Sequence, residues 1–174
     1  MKQRELGVEF RIEAVDYKEA KNAYYARHRL QKHFRGEAYQ LQIDSHMRMV
    51  KDWDTKLKDY LNMCESPDKA VLTCYPRPFK PAAKVNDYRD VIFNTGACVA
   101  MCFNEFSKID GLPRFKSRNI KRTFEKPFEC LFYAAGFNFS YGKVIEECGY
   151  TDEVDNLFFG EELFQMQKLF TKGY

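Results

Sequence analysis

A chain of 174 residues is long enough for one domain with a substantial core, and its 45% hydrophobic and 16% aromatic content excludes intrinsic disorder. Twenty-eight basic against 25 acidic residues leave a net charge of +3, too balanced for a dedicated nucleic-acid binder. The six cysteines, at 64, 74, 98, 102, 130 and 148, form no CxxC pair and no zinc-ligand pattern. Set in apolar runs such as 97–103, they read as free buried thiols of a reduced compartment, with lumenal disulfides as the alternative. These residues carry no signal peptide, membrane-spanning stretch or targeting motif.

Val8, Phe10 and Ile12 alternate with charged residues, so residues 7–15 are expected to form a strand. Asp16 and Glu19 have capping-box spacing. Ala20, Ala23, Tyr24, Arg27, Leu30, Gln31 and Phe34 then recur at helical intervals up to Gly36, a C-terminal stop. Tyr39, Leu41 and Ile43 alternate with Ala38, Gln40 and Gln42, the period of a half-buried strand ending at Asp44. Strand, helix and strand together have the length of a parallel βαβ crossover.

A second helix is expected from near Trp53 to Cys64, with Leu57, Tyr60 and Leu61 on one face and Trp53 as a core anchor. Residues 70–75 read as a short strand cut off by Pro76, Pro78 and Pro81. Further strands are expected over 91–93 and 97–103, with Asp110-Gly111 as a turn. The basic stretch 114–122 reads as a solvated loop, or as a wall against phosphate or an acidic acceptor. The apolar run 127–135 is expected to be a buried strand, and helices are expected near 143–148 and 161–170. Alternating strands and helices predict an α/β fold with a mixed sheet.

Asp44 and His46 stand at the C-terminal end of a strand, where open α/β sheets bind ligands. If the backbone stays extended, both side chains leave on one side. Carboxylate oxygen and imidazole nitrogen suit a divalent metal such as manganese, although Asp44 could equally cap a turn and His46 be solvated. Arg27 lies on the apolar stripe of the first helix, either snorkelling over it or reaching a ligand. Glu161 and Glu162 open the last helix, where carboxylates favour the helix dipole whatever else they do. Gly136-Phe137-Asn138-Phe139-Ser140 is either a buried strand end or a loop whose glycine allows close backbone approach.

Ala26-Arg27-His28, Tyr39-Gln40-Leu41-Gln42-Ile43-Asp44-Ser45-His46-Met47-Arg48, Trp53-Asp54, Tyr75-Pro76, Phe158-Phe159-Gly160-Glu161-Glu162 and Leu169-Phe170-Thr171-Lys172-Gly173-Tyr174 occur in this order. The ordered set resembles the eukaryotic GlcNAc-transferase family that includes the polypeptide N-acetylglucosaminyltransferases acting on hydroxyproline. The resemblance covers nearly the whole chain. It implies a GT-A, Rossmann-related fold, a UDP-GlcNAc donor, a divalent metal (usually Mn2+), and transfer with retention to a protein hydroxyl of hydroxyproline, Ser or Thr.

By that resemblance Asp44 and His46 hold the metal, and Arg27, Asp44, Gly136 and Phe137 bind the donor. Glu161 and Glu162 orient the acceptor or move its proton. The implied partners are a nucleotide-sugar donor and a protein or glycan acceptor. The implied compartment is the cytoplasm, or the Golgi lumen if an anchor precedes the chain. Against the family pattern, residues 1–174 read as one partial catalytic domain, lacking the first βα unit and the C-terminal segment that carries a further histidine ligand. The alternative is a catalytically inactive fragment that serves as a binding or interaction module.

Overall fold

The computed structural model describes residues 7–80, 91–92, 98–122, 124–154 and 156–174. The first helix, α1 (Ala23–Gln31), starts where the Asn22 side chain accepts the Tyr25 N–H at 2.9 Å. It is followed by β1 (Tyr39–Ile43), α2 (Trp53–Asn62), β2 (Val71–Thr73), β3 (Phe79–Lys80) and β4 (Val91–Ile92). Next come β5 (Cys98–Phe106), β6 (Pro113–Ile120), β7 (Phe137–Tyr141), α3 (Lys143–Cys148) and α4 (Glu161–Thr171). The main sheet has the order β1-β7-β2, with central β7 antiparallel to both neighbours. β3 pairs with β4, and β5 with β6, each antiparallel. The Asp110-Gly111 turn closes the β5–β6 hairpin, with Gly111 at φ +71°.

Register decides which residues share a face. Gln40 and Gln42 of β1 lie opposite Ser140 and Asn138 of β7, and Val71 of β2 lies opposite Ser140. This face meets the core of Tyr133, Ala135, Val144, Cys148 and Leu169, against which Val71, Ile145 and Met166 pack. The other face carries Tyr39, Leu41, Phe139 and Tyr141, with Tyr39 stacked on Phe139 and on Tyr141 at 5.6 and 5.1 Å. α2 lies on that side: the Tyr141 hydroxyl donates to Asn62 at 3.4 Å, and the Lys58 ammonium stands over the Tyr39 ring. Helices on both faces of a small sheet combine α and β, but every strand pair among the described residues is antiparallel, so the mixed sheet expected from the sequence is not seen there.

Several expectations change. Residues 7–16 form no strand among the described residues, so there is no βαβ crossover. Their alternation is real, but the charged side is the one engaged. Glu13 takes hydrogen bonds from Arg29 at 2.6 Å and pairs with His33 at 2.6 Å, while Arg11 donates to the His33 carbonyl. Ile12 is left 85% exposed. Asp16 closes a turn by accepting the Lys18 N–H instead of starting α1.

Residues 114–120, expected as loop, belong to β6. Residues 127–135 form no strand: the Ala134 and Ala135 N–H groups bond the Thr73 hydroxyl and the Glu162 carboxylate, and Leu131 is 71% exposed. Of the two readings of residues 136–140 the strand holds, since Phe137–Tyr141 is the central strand β7. On α2, Leu61 is buried but Tyr60 is exposed, and Trp53 is only half-buried. Of the cysteines, Cys148 is a buried free thiol, Cys64 and Cys102 are half-buried, and Cys130 is exposed. Residues 93 and 97, expected in strands, lie outside the described residues. No helix among the described residues is long and apolar enough to cross a membrane.

Candidate active site

Tyr24, Arg27 and Gln31 recur at helical spacing on the face of α1 turned to the protein. Tyr24 is fully buried, edge-on to Tyr150 at 4.7 Å. One turn on, the Arg27 side chain is 14% exposed. Its Nη1 donates to Glu161 Oε1 at 2.9 Å, its Nη2 stands 3.6 Å from Asp44 Oδ1, and the guanidinium lies 5.9 Å from the Tyr150 ring centre. Burial works against its charge, but Tyr150 and Glu161 outweigh burial and raise the Arg27 pKa.

Asp44 continues the strand register by one bond, donating its N–H to the Gly136 carbonyl at 3.0 Å. The chain then turns, closed by the Met47 N–H on the Asp44 carbonyl at 3.3 Å, with Ser45 and His46 at the corners. The backbone is therefore not extended here, and the alternation argument for a shared side of Asp44 and His46 does not apply. His46 is exposed on this turn. Gly136 makes room for the carboxylate: a Cβ there would stand 2.7 Å from Asp44 Oδ2.

Gly160, at φ +101°, turns the chain into α4 and delivers two carboxylates in its first turn. Glu161 points inward, its side chain 9% exposed, with Oε1 on Arg27 and the buried Oε2 without a hydrogen-bond partner among the described residues. Glu162 accepts the Ala135 N–H at 2.9 Å and the Tyr75 hydroxyl at 3.4 Å. Burial is the main cause that raises the Glu162 pKa, with the Glu161 charge adding to it and the Ala135 N–H opposing. Burial and the same carboxylate push the Tyr75 phenol up to about 12.

The fold thus brings Arg27, Asp44, Gly136, Glu161 and Glu162 to the end of β1 and the start of α4. Phe137, half-buried, begins β7 beside them, and His46 sits on the exposed turn. A family model for glycosyltransferases, Glycosyltransferase (GlcNAc), matches residues 2–174. The chain belongs to this GlcNAc glycosyltransferase family. Neither a curated protein nor a solved structure matches it. Membership implies a nucleotide-sugar donor and an acceptor.

Beneath the site the glycosyltransferase keeps a buried polar network. Gln42 donates to the Ala135 carbonyl at 2.6 Å and to the Tyr150 hydroxyl at 3.0 Å. The Tyr150 and Tyr133 hydroxyls share a bond of 3.0 Å, and Asn138 donates to Tyr133 at 2.7 Å. Burial drives both phenol pKa values up, so the pair stays neutral. Periodicity and spacing in the sequence do not mark Tyr75, Tyr133 or Tyr150 as site-supporting residues. Tyr75 stands in a family-like motif, but nothing in its spacing announces Glu162 as its partner.

Of the described residues at this site, Asp44 and His46 carry the oxygen and nitrogen atoms that could hold a divalent cation. Among the described residues no three His, Cys, Asp or Glu side chains cluster as a ready-made metal site. Asp44 remains available: its side chain is 40% exposed and meets Arg27 as an ion pair at 3.6 Å, longer than a hydrogen bond.

Glu162→Gln offers a test of the buried carboxylate. A folded-state pKa above the unfolded value of 4.5 means that, between the two values, the folded chain holds more protons than the unfolded chain. Stability from this group is therefore present at low pH and lost as pH climbs from 4.5 through the raised value. The difference between wild-type and E162Q urea midpoints should shift in favour of E162Q across that window. Parallel curves at all pH values would contradict the assignment. Transfer by E162Q should fall about 100-fold if Glu162 handles the acceptor proton.

Proposed function

We propose that this chain is a metal-dependent, GT-A-type transferase that moves GlcNAc from UDP-GlcNAc to a protein hydroxyl of hydroxyproline, Ser or Thr. Retention of anomeric configuration and the choice of a protein acceptor come from the resemblance in the sequence. The observation that carries the reading is Arg27 held between Asp44 and Glu161, which ties the end of β1 to the start of α4.

The charge balance supports a metal. Asp44, Glu161 and Glu162 set three carboxylates against one guanidinium, so a donor diphosphate is repelled unless a cation accompanies it. Asp44 and His46 would hold that cation, and their oxygen and nitrogen donors suit Mn2+. When bound, it supplies Lewis-acid stabilisation of the charge developing on the leaving UDP. Arg27 keeps Asp44 in place while neutralising buried Glu161. Gly136 and Phe137, where β7 begins next to Asp44, border the donor side. Glu161, locked by Arg27, positions the site, and Glu162, with its raised pKa, takes or returns the acceptor proton.

Calorimetric titration of UDP-GlcNAc, with and without Mn2+, into wild type and Asp44→Ala tests this directly. Binding to wild type should require the metal, and D44A should lose about 100-fold in affinity while staying folded, because this side chain is partly exposed. Metal-dependent binding that survives in D44A would sink the site assignment.

A further inference from the structure

We infer that the cationic face of β6 is the docking surface for an acidic segment of the acceptor protein, an inference that rests on the transferase reading above. Alternate residues of a strand share a face, so Arg114, Lys116 and Arg118 line one side of β6, about 6.7 Å apart. Phe115 turns the other way and packs on Phe132 at 4.7 Å. That contact seats the hairpin and leaves Lys116 and Arg118 exposed.

Among the described residues nothing within the hairpin forms an ion pair with these two cations. Their cross-strand partners on β5 are Cys102 and Ala100, both uncharged. The only ion pair of the hairpin among the described residues is at its inner end, Arg114 with Asp110 at 2.5 Å. Cations left facing solvent at strand spacing match the spacing of carboxylates on every second residue of an extended peptide.

The inner end of the row is tied to the active site. The Arg114 guanidinium lies 4.3 Å from the centre of the Phe159 ring, and Phe159 precedes Gly160 at the start of α4. Leu112 closes against Gly160, since a Cβ there would meet its Cδ1 at 3.1 Å. The row therefore begins beside Phe159 and Gly160, which lead into α4, and spans about 13 Å along β6.

Among the described residues β6 pairs only with β5, so its outer edge offers backbone donors and acceptors to an added strand. A peptide lying there would be held by its backbone at the edge and by its carboxylates on Lys116 and Arg118. Its next residues would be led toward α4. A single short row on a chain of net charge +3 favours a peptide over a bilayer or a nucleic acid, which engage broader basic surfaces.

Fluorescence anisotropy with a labelled peptide of alternating Glu and Thr, beside one of alternating Gln and Thr, tests the inference. Wild type should prefer the Glu peptide about tenfold at low ionic strength, with the preference shrinking as salt is added. K116Q/R118Q should abolish the preference, and K116E/R118E should transfer it to a Lys-Thr peptide. Both pairs alter exposed side chains, and circular dichroism should show an unchanged fold. Equal affinity of wild type for the Glu and Gln peptides, or a preference that survives in K116E/R118E, would overturn the inference. So would tighter binding to phosphatidylserine vesicles or to single-stranded DNA than to the Glu peptide. UDP-GlcNAc titration separates the two readings: donor binding without a peptide preference defeats this surface alone, and a peptide preference without donor binding defeats the transferase reading.

Discussion

Arg27→Met is expected to destabilise the fold by about 3–5 kcal/mol, measured as a lower urea midpoint. Methionine preserves most of the side-chain volume beside Tyr150, so the loss is mainly electrostatic. Glu161 would stay buried with neither oxygen partnered, because Oε2 already lacks a hydrogen bond and Oε1 depends on Arg27. The reverse change, Glu161→Met, should cost less, since Arg27 keeps the Asp44 carboxylate at 3.6 Å. The double variant R27M/E161M should recover most of the stability, because two apolar side chains replace a buried pair without stranding a charge. Donor binding should be lost in R27M and in the double variant alike. That split, stability restored without function, is the signature of a pair kept for the site and not for the fold. An R27M midpoint equal to wild type would remove the buried pair from this account.

Arg27 and Glu161 also show where sequence reading stops. Each was identifiable alone, one as a charge on an apolar helical stripe and the other as a carboxylate opening a helix. Their contact spans 134 positions and exists only because α1 and α4 meet through Tyr24 and Phe164, with Tyr150 packed on Tyr24. The period-2 pattern at Tyr39–Ile43 gave β1 correctly, because alternation is local. Which side faces the core was not local: Gln40 and Gln42 turn toward the buried tyrosine network, while Ile43 is 44% exposed. Polar side chains go inward there because Asn138, Ser140, Tyr150 and the Ala135 carbonyl satisfy them.

The failed strands have the same origin. Residues 7–15 alternate correctly but meet a helix, and only α1 could reveal that the charged side is the one that binds. Residues 127–135 are apolar enough for a buried strand. Their rings go into separate aromatic contacts, Phe128 with Phe124 and Phe132 with Phe115, and their last amides go to side chains. Apolar composition reports burial in aggregate; it does not say whether a ladder or a set of aromatic contacts provides it.

Two glycine substitutions that add the same methyl group should separate fold from site. Gly142→Ala places a Cβ 1.9 Å from the Glu37 carbonyl oxygen and 2.8 Å from the Phe34 ring. The obstacle is backbone, and it cannot retreat: the Gly142 N–H is bonded to the Ala38 carbonyl at 3.0 Å, next to the Tyr39–Tyr141 pair that sets the β1–β7 register. Relief requires opening that ladder or displacing the start of α3, at a cost of about 3 kcal/mol or more. Thermal unfolding should show a large drop in Tm for G142A. Gly136→Ala meets only the Asp44 carboxylate, with Oδ2 at 2.7 Å and Cγ at 3.3 Å. That side chain is partly exposed and can swing aside, and Gly136 is not among the glycines with positive φ, so alanine fits its backbone. G136A should unfold within about 1 kcal/mol of wild type yet lose about 10- to 100-fold in metal-dependent donor affinity, because the displaced carboxylate is the proposed ligand. A G136A chain that binds UDP-GlcNAc as wild type does would mean that the position of Asp44 does not matter to the donor, whatever the fold around it.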